Sequence, residues 1–329
     1  MSKVGVIGAG AWGTALAQAA ASAGNQVLLI GRDEKIVGEI NEFHRNKKYL
    51  SDQPLLPVIS AGVDFLTLIS CDLVILAVPA QKTRTLLKSL PKSIKSKKPV
   101  VLTAKGFERK TLALQSQVLE EEWPDAEALT LSGPSFAIDV AAQKPTAITL
   151  ASINEKALNY VGQTLASASF RPYFSTDPKG VELCGGLKNI YALACGAIEG
   201  AGLGLSARSA FIARAMVEMG RIVEGFGGER ATINTLAGIG DLVLSCTSEQ
   251  SRNYRYGIEL GKGKLLAEIL DQNIGLAEGV ASTAVAHKMV CEAKIEAPLV
   301  KAVNHLLDGD VDISTIVEQL MTRPLKPEG

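Results

Sequence analysis

An α/β half followed by an all-helical half is the fold class that this 329-residue sequence predicts. Three observations carry it. Short apolar runs at 4–7, 27–30, 73–78, 100–104, 129–131 and 147–151 alternate with helical stretches such as 13–23 and 112–122. The first run leads straight into a glycine-rich turn, Gly8-Ala9-Gly10-Ala11-Trp12-Gly13. From Gly180 onward no clear strand is seen and only helical periodicity continues.

The apolar runs are nearly continuous rather than alternating. That is the mark of strands buried on both faces, as in a doubly wound, mostly parallel sheet covered by helices. Pro79 closes the third run and Lys105-Gly106 the fourth, so both lie at carboxyl ends of strands, where ligands of such sheets gather. In the second half, 180–199, 207–226, 251–261 and 280–293 read as helices. The polar turn Ser175-Thr176-Asp177-Pro178 marks the boundary. It gives a dinucleotide-binding domain over residues 1–179 and a helical substrate-binding domain over 180–329, ending in a frayed tail from Pro324.

Lys plus Arg and Asp plus Glu are both 34, so no net field would draw nucleic acid or an anionic membrane, and any phosphate must be held by local groups. The five cysteines are widely spaced and contain no C-x-x-C pair, which points to a reducing cytoplasm and no metal site. The N-terminus reads as a strand rather than a signal peptide. The stretch 190–205 holds Glu199 and several glycines and reads as too short and polar to span a bilayer.

Gly8, Gly10 and Gly13 fit the G-x-G-x-x-G pattern of dinucleotide sites. Gly8 makes the tight turn, Gly10 admits a pyrophosphate to the backbone, and Gly13 lets helix and strand pack closely. The helix that follows offers unpaired N–H groups to the phosphates. A tight turn that binds nothing is the plain alternative. After the second strand, Gly31-Arg32-Asp33 stands where an acidic residue often takes the ribose hydroxyls. Arg32 suits the 2′-phosphate of NADP, with Gly31 leaving it room, but Asp33 keeps NAD open. Arg32 as a solvated surface arginine is the competing reading. Trp12, an aromatic within the turn, lies beside the cofactor or substrate, or plugs the gap to the second domain.

None of the three histidines, His44, His287 and His305, sits in a catalytic-looking loop, so a lysine is the proton donor to consider. Lys188 lies on an otherwise apolar helix, where burial and a second cation such as Lys105 would lower its proton affinity. An amine of that kind can serve as general acid or base; a snorkelling lysine at the helix edge is the commoner fate. Asp241, in the apolar, glycine-flanked turn Ala237-Gly238-Ile239-Gly240-Asp241, needs a partner, and a lysine is the natural one. Ser251-Arg252-Asn253 places hydroxyl, guanidinium and amide at a helix start, which suits a phosphate or simple capping. The loop Ser132-Gly133-Pro134-Ser135-Phe136-Ala137 is a further candidate at the sheet's carboxyl edge, or a plain turn.

Across about residues 3–322, the chain resembles the NAD(P)-dependent glycerol-3-phosphate dehydrogenase family, bacterial type. The resemblance rests on residues 8–16, Ala104-Lys105-Gly106, residues 132–137, Gly186-Leu187-Lys188-Asn189, residues 238–242 and Ser251-Arg252-Asn253, occurring in this order. It implies a Rossmann-type cofactor half and a reaction between dihydroxyacetone phosphate and sn-glycerol 3-phosphate, supplying phospholipid synthesis in the cytoplasm. It implies that Lys188 is catalytic, with Asp241 orienting it. Lys105, Gly133, Ser135, Lys188, Asp241, Ser251, Arg252 and Asn253 are implied to contact the small phosphorylated substrate. Gly8, Gly10, Ala11, Trp12, Gly13, Arg32, Tyr49, Lys105, Ala137, Arg252, Leu276 and Glu278 are implied to contact the cofactor, NADP or NAD. A homodimer is an open expectation. Gly186 stands where the family usually has Ala or Thr, which would loosen the Lys188 helix. Tyr191 replaces a smaller aliphatic residue, and Ala11 stands where serine is common. Another hydroxyacid dehydrogenase of this architecture, of 6-phosphogluconate or hydroxyacyl type, and a non-catalytic NAD(P) redox sensor are the alternatives. Lys188 and Asp241 together weigh against the sensor, which needs no buried proton donor.

Overall fold

The computed structural model describes residues 1–271 and 278–322. Eight strands form one sheet: β1 (Lys3–Ile7), β2 (Gln26–Ile30), β3 (Ile59–Gly62), β4 (Leu73–Leu76), β5 (Pro99–Leu102), β6 (Glu127–Ser132), β7 (Thr146–Ala151) and β8 (Phe170–Ser175). Their order is β3-β2-β1-β4-β5-β6-β7-β8. Every neighbouring pair is parallel except β6 and β7. Strand order reverses between β1 and β4, and at such a switch point a crevice opens at the carboxyl ends. The apolar runs of β1, β2, β4 and β5 are buried because helices cover both faces of the sheet.

The two edge strands, β3 and β8, escaped the apolar-run reading. β3 buries only Ile59 and carries Ser60 and Gly62. β8 reads Phe-Arg-Pro-Tyr-Phe-Ser, with Pro172 tolerated because an edge strand has a free side. Strands β4 and β5 also stop at Leu76 and Leu102, before the expected Val78 and Ala104.

From Pro178 onward the described residues are helical. The long helix Pro178–Gly200 starts with a proline and is capped by Asp177, whose carboxylate accepts from the Gly180 amide at 2.8 Å. By length and composition it could cross a membrane, but its apolar window is wholly buried as the core of this half. The stretch 190–205 is therefore no single element: the helix ends at Gly200 and another, Leu205–Gly225, begins after a turn. Helices Pro298–Asp308 and Ile313–Met321, not read from the sequence, complete the half. The expected tail from Pro324 lies outside the described residues.

Glycines bring the long helix into backbone contact with helix Arg252–Gly261. A Cβ on Gly257 would lie 2.0 Å from the Leu193 carbonyl oxygen, and one on Gly196 2.0 Å from that of Tyr254. Neither carbonyl can retreat without breaking its helix. Gly257→Ala should lower stability by about 1–3 kcal/mol or more, as overpacking of a filled core does. A urea titration followed by tryptophan fluorescence and circular dichroism checks it.

Candidate active site

The glycine turn meets the steric demands of a dinucleotide site. Gly8 has φ +117°, and a Cβ there would lie 2.4 Å from the Ala77 carbonyl oxygen. A Cβ on Gly13 would lie 1.8 Å from the Gly8 carbonyl oxygen. Gly10, by contrast, faces open space. It precedes helix Ala11–Ser22, whose first amides receive no side-chain cap. Uncapped amides at a helix start, with open room before them, fit a pyrophosphate. Trp12 lies in the first turn of this helix rather than within the loop. It leans on the apolar cluster beneath the sheet, as Ala11 and Ala137 do. Ala137 opens helix Ala137–Ala141, which packs against the first helix.

Arg32 is exposed just beyond β2. The space at Gly31 serves the glycine turn as well, since a Cβ there would lie 2.8 Å from that of Ala9. Asp33 caps helix Glu34–Phe43 through the Lys35 amide and pairs with Lys48 at 3.4 Å, so its carboxylate already has partners. Tyr49 is 45% exposed, with the Lys48 ammonium over its ring. Leu276 lies outside the described residues. Asn46, unnoticed in the sequence, is wholly buried and donates to the Ala9 carbonyl at 3.1 Å and to the Thr14 hydroxyl at 2.8 Å, bracing the glycine turn.

The chemistry side converges on one carboxylate. Asp241 lies not in a turn but at the head of helix Asp241–Thr247, after a wide helical turn over Leu236–Gly240. Lys105 Nζ donates to its Oδ2 at 2.5 Å and Lys188 Nζ to its Oδ1 at 2.9 Å. Side-chain exposure is 2% for Asp241, 16% for Lys105 and 12% for Lys188. Lys188 also donates to Ser245 Oγ at 2.6 Å, and Lys105 to the Gly133 carbonyl at 3.1 Å. Ser135 donates its hydroxyl to that same carbonyl at 3.1 Å. Burial works against the Asp241 carboxylate, but the two ammoniums outweigh it and hold its pKa below the ordinary value. Burial lowers the Lys105 pKa, the nearby Lys188 charge adds to this, and Asp241 opposes it.

Ser251 caps helix Arg252–Gly261, leaving Arg252 exposed at its start. Asn253 is buried, with its amide committed to the protein on both sides. It donates to Asn189 Oδ1 at 2.9 Å and accepts from the Gly279 amide at 3.0 Å. Asn189 in turn donates to the Lys105 carbonyl at 3.1 Å. Glu278 heads helix Glu278–Glu292 and accepts a backbone hydrogen bond from Ala80. Burial raises its pKa, opposed first by Arg252 and less by Lys188 and Lys105. Ser245 and Asn189 were missing from the sequence-derived site. Ser245 sits one helical turn beyond Asp241, a spacing that is informative only once that segment is known to be a helix.

A doubly wound sheet with its glycine turn at the switch point, joined to a helical half that contributes a lysine and a carboxylate, defines a two-domain dehydrogenase of the nicotinamide-dependent class. Family models narrow this. The model described as NAD-dependent glycerol-3-phosphate dehydrogenase N-terminus matches residues 3–158, and that for the C-terminus matches residues 177–318. The chain belongs to the NAD-dependent glycerol-3-phosphate dehydrogenase family. It is 43% identical over 326 residues to glycerol-3-phosphate dehydrogenase [NAD(P)+] of Caulobacter vibrioides, covering 99% of this chain and 98% of the relative. To the enzyme of that name from Mesorhizobium japonicum it is 44% identical, covering 99% and 94%. The crystal structure of glycerol-3-phosphate dehydrogenase from Coxiella burnetii superposes with a TM-score of 0.92 at 36% identity, covering 98% of this chain and 99% of that one. A D-mandelate dehydrogenase complex with NADH shares the fold more loosely, with a TM-score of 0.59 at 15% identity.

Asp241→Asn should cost about 3 kcal/mol or somewhat more near neutral pH, because two part-buried ammoniums lose their counter-charge. A group whose folded pKa is depressed stabilises the protein above its unfolded pKa and loses that contribution as pH falls through the folded value. The difference between wild type and variant should therefore shrink on acidification below the ordinary value of 3.8. Denaturant titrations from pH 7 to the acid limit of folding check this.

Proposed function

We propose that this protein interconverts dihydroxyacetone phosphate and sn-glycerol 3-phosphate with NAD(P)H, supplying glycerol phosphate for phospholipid synthesis in the cytoplasm. The observation that carries the reading is one buried carboxylate shared by Lys105 of the sheet half and Lys188 of the helical half. We divide these halves at residues 179 and 180. When bound, the nicotinamide cofactor supplies the hydride that reaches carbon 2. Gly8, Gly10, Ala11, Trp12 and Gly13 would hold its pyrophosphate, with Arg32, Tyr49, Ala137, Arg252 and Glu278 lining the remainder of its path.

In the direction of reduction, Lys188 hands the proton on Nζ to the carbonyl oxygen as negative charge develops there, and takes it back in the reverse direction. Asp241 and Ser245 orient that amine, and Lys105 keeps a second positive charge beside the developing alkoxide. Arg252 grips the substrate phosphate from its exposed position at the helix start. Ser251 and Asn253 flank it, Asn253 acting through the second N–H of its amide. Gly133 and Ser135 border the substrate on the sheet side, where the Gly133 carbonyl fixes the Lys105 amine. The five unpaired thiols, four of them buried, suit a reducing compartment.

Absorbance at 340 nm with NADH and NADPH side by side tests the activity. Oxidation of neither cofactor on adding dihydroxyacetone phosphate would overturn it. Lys188→Ala should lower kcat by about 10²–10⁴-fold, the usual worth of a positioned acid, with cofactor affinity retained. Turnover near wild type in that variant removes Lys188 from the mechanism. Arg252→Ala should act mainly on KM for the phosphate ester, raising it about tenfold or more for loss of one charge-assisted contact. An equal effect on an unphosphorylated analogue would argue against that assignment.

A further inference from the structure

Lys105 is followed two residues later by Phe107, and Lys188 is preceded by two residues at Gly186. The two pairs meet. A Cβ on Gly186 would lie 2.4 Å from Phe107 Cζ and 2.9 Å from both Cε atoms, so the ring rests on the bare α-carbon of the Lys188 helix. Phe107 comes from the sheet half, yet it is 1% exposed and belongs to the apolar core of the helical half. One residue earlier, Gly185 lies under the Lys105 stem: a Cβ there would sit 3.5 Å from Lys105 Cγ.

The backbone of the same segment is held at three successive carbonyls. Asn189 donates to that of Lys105 at 3.1 Å, Gln115 to that of Gly106 at 3.1 Å, and Gln81 to that of Phe107 at 2.6 Å. Gly106 is pressed from its other side, since a Cβ there would lie 3.0 Å from Ser282 Oγ. A ring forced off Gly186 therefore has no loop slack to absorb the movement. The displacement passes along the chain to Lys105.

We propose that Gly185-Gly186 is a seat for the Lys105–Phe107 segment, and that Phe107 and Gly186 are matched positioning residues setting the Lys105 amine against Asp241 and Lys188. The inference rests on the reaction assigned above.

Gly186→Ala tests the seat, with Phe107→Leu as the partner variant. Misplacing a reacting group by about 1 Å costs on the order of a hundredfold in rate, so kcat of Gly186→Ala should fall about tenfold or more. KM for NADPH should stay within about twofold, because the glycine turn lies elsewhere, and the alkaline limb of the kcat–pH profile should move. The double variant Gly186→Ala/Phe107→Leu, which removes ring atoms from the seat, should regain most of the lost kcat and the wild-type pH limb. Phe107→Leu alone should lose less than Gly186→Ala. A purely structural contact would lower the melting temperature while leaving kcat of the folded fraction and the pH limb unchanged, and that result overturns the proposal. So does a loss that Phe107→Leu fails to repair. Should Gly186→Ala not fold, the double variant must fold and turn over, or the matching is wrong. Wild-type turnover of dihydroxyacetone phosphate tests the reaction itself; only the pattern among the variants tests the seat.

Discussion

The carboxylate of Asp241, gripped by one ammonium from each half of the chain, is the interaction on which the remaining architecture depends. A buried carboxylate is costly unless its charge is met and its oxygens are bonded. Here each oxygen takes a different lysine, and Ser245 shares the Lys188 side. The same bonds fasten the carboxyl end of β5, through Lys105, to two helices of the other half. Charge balance and domain docking are thus one arrangement. The two ammoniums offset the burial that would otherwise oppose the charged aspartate.

Two uses of glycine make the arrangement reachable. Around the glycine turn, missing Cβ atoms let strand, turn and helix crowd together beside the uncapped start of the first helix. Along the helical half, Gly196 and Gly257 let the Lys188 helix lie against the helix that begins at Arg252. That second contact brings the lysine and the arginine to one place from separate helices. A two-amide relay reinforces it, running from the Gly279 amide through Asn253 and Asn189 to the Lys105 carbonyl. Asn253 thereby ties together three helices and the Lys105 loop, beyond the contact with substrate that resemblance alone implies.

The sheet was legible wherever burial on both faces left an uninterrupted apolar run, as in Val4–Ile7 or Leu73–Leu76. It was illegible at the edges, where β3 and β8 need cover on fewer sides and so tolerate Ser60, Arg171 and Pro172. The site followed a similar rule. Lys188 stood out because a charge on an apolar helix demands explanation, and Lys105 because it follows the carboxyl end of a strand. Asp241 was noticed for its apolar surroundings but assigned to a turn, since Gly238 and Gly240 mimic one. In fact Gly238 is pressed against the backbone of Ile233, and the helical turn widens there before Asp241 begins a regular helix. With that helix unseen, Ser245 had no visible relation to Asp241. Asn189 and Asn46 act through backbone carbonyls distant in sequence, and no local spacing announces such bonds.

A chain with no net charge can still gather positive charge locally, and it does so around Glu278. Arg252, Lys188 and Lys105 all lie close enough to act on this carboxyl, so three cations gather where Asp241 and Glu278 are the carboxylates. The two acids are not equivalent. Asp241 is pinned in its charged form by direct bonds to both lysines, whereas burial biases Glu278 toward its neutral form and only weaker attractions oppose this. Around these two carboxyl groups, then, three cationic side chains act. Positive charge can thus be concentrated in one place, with Arg252 at its exposed edge, while the chain as a whole carries none.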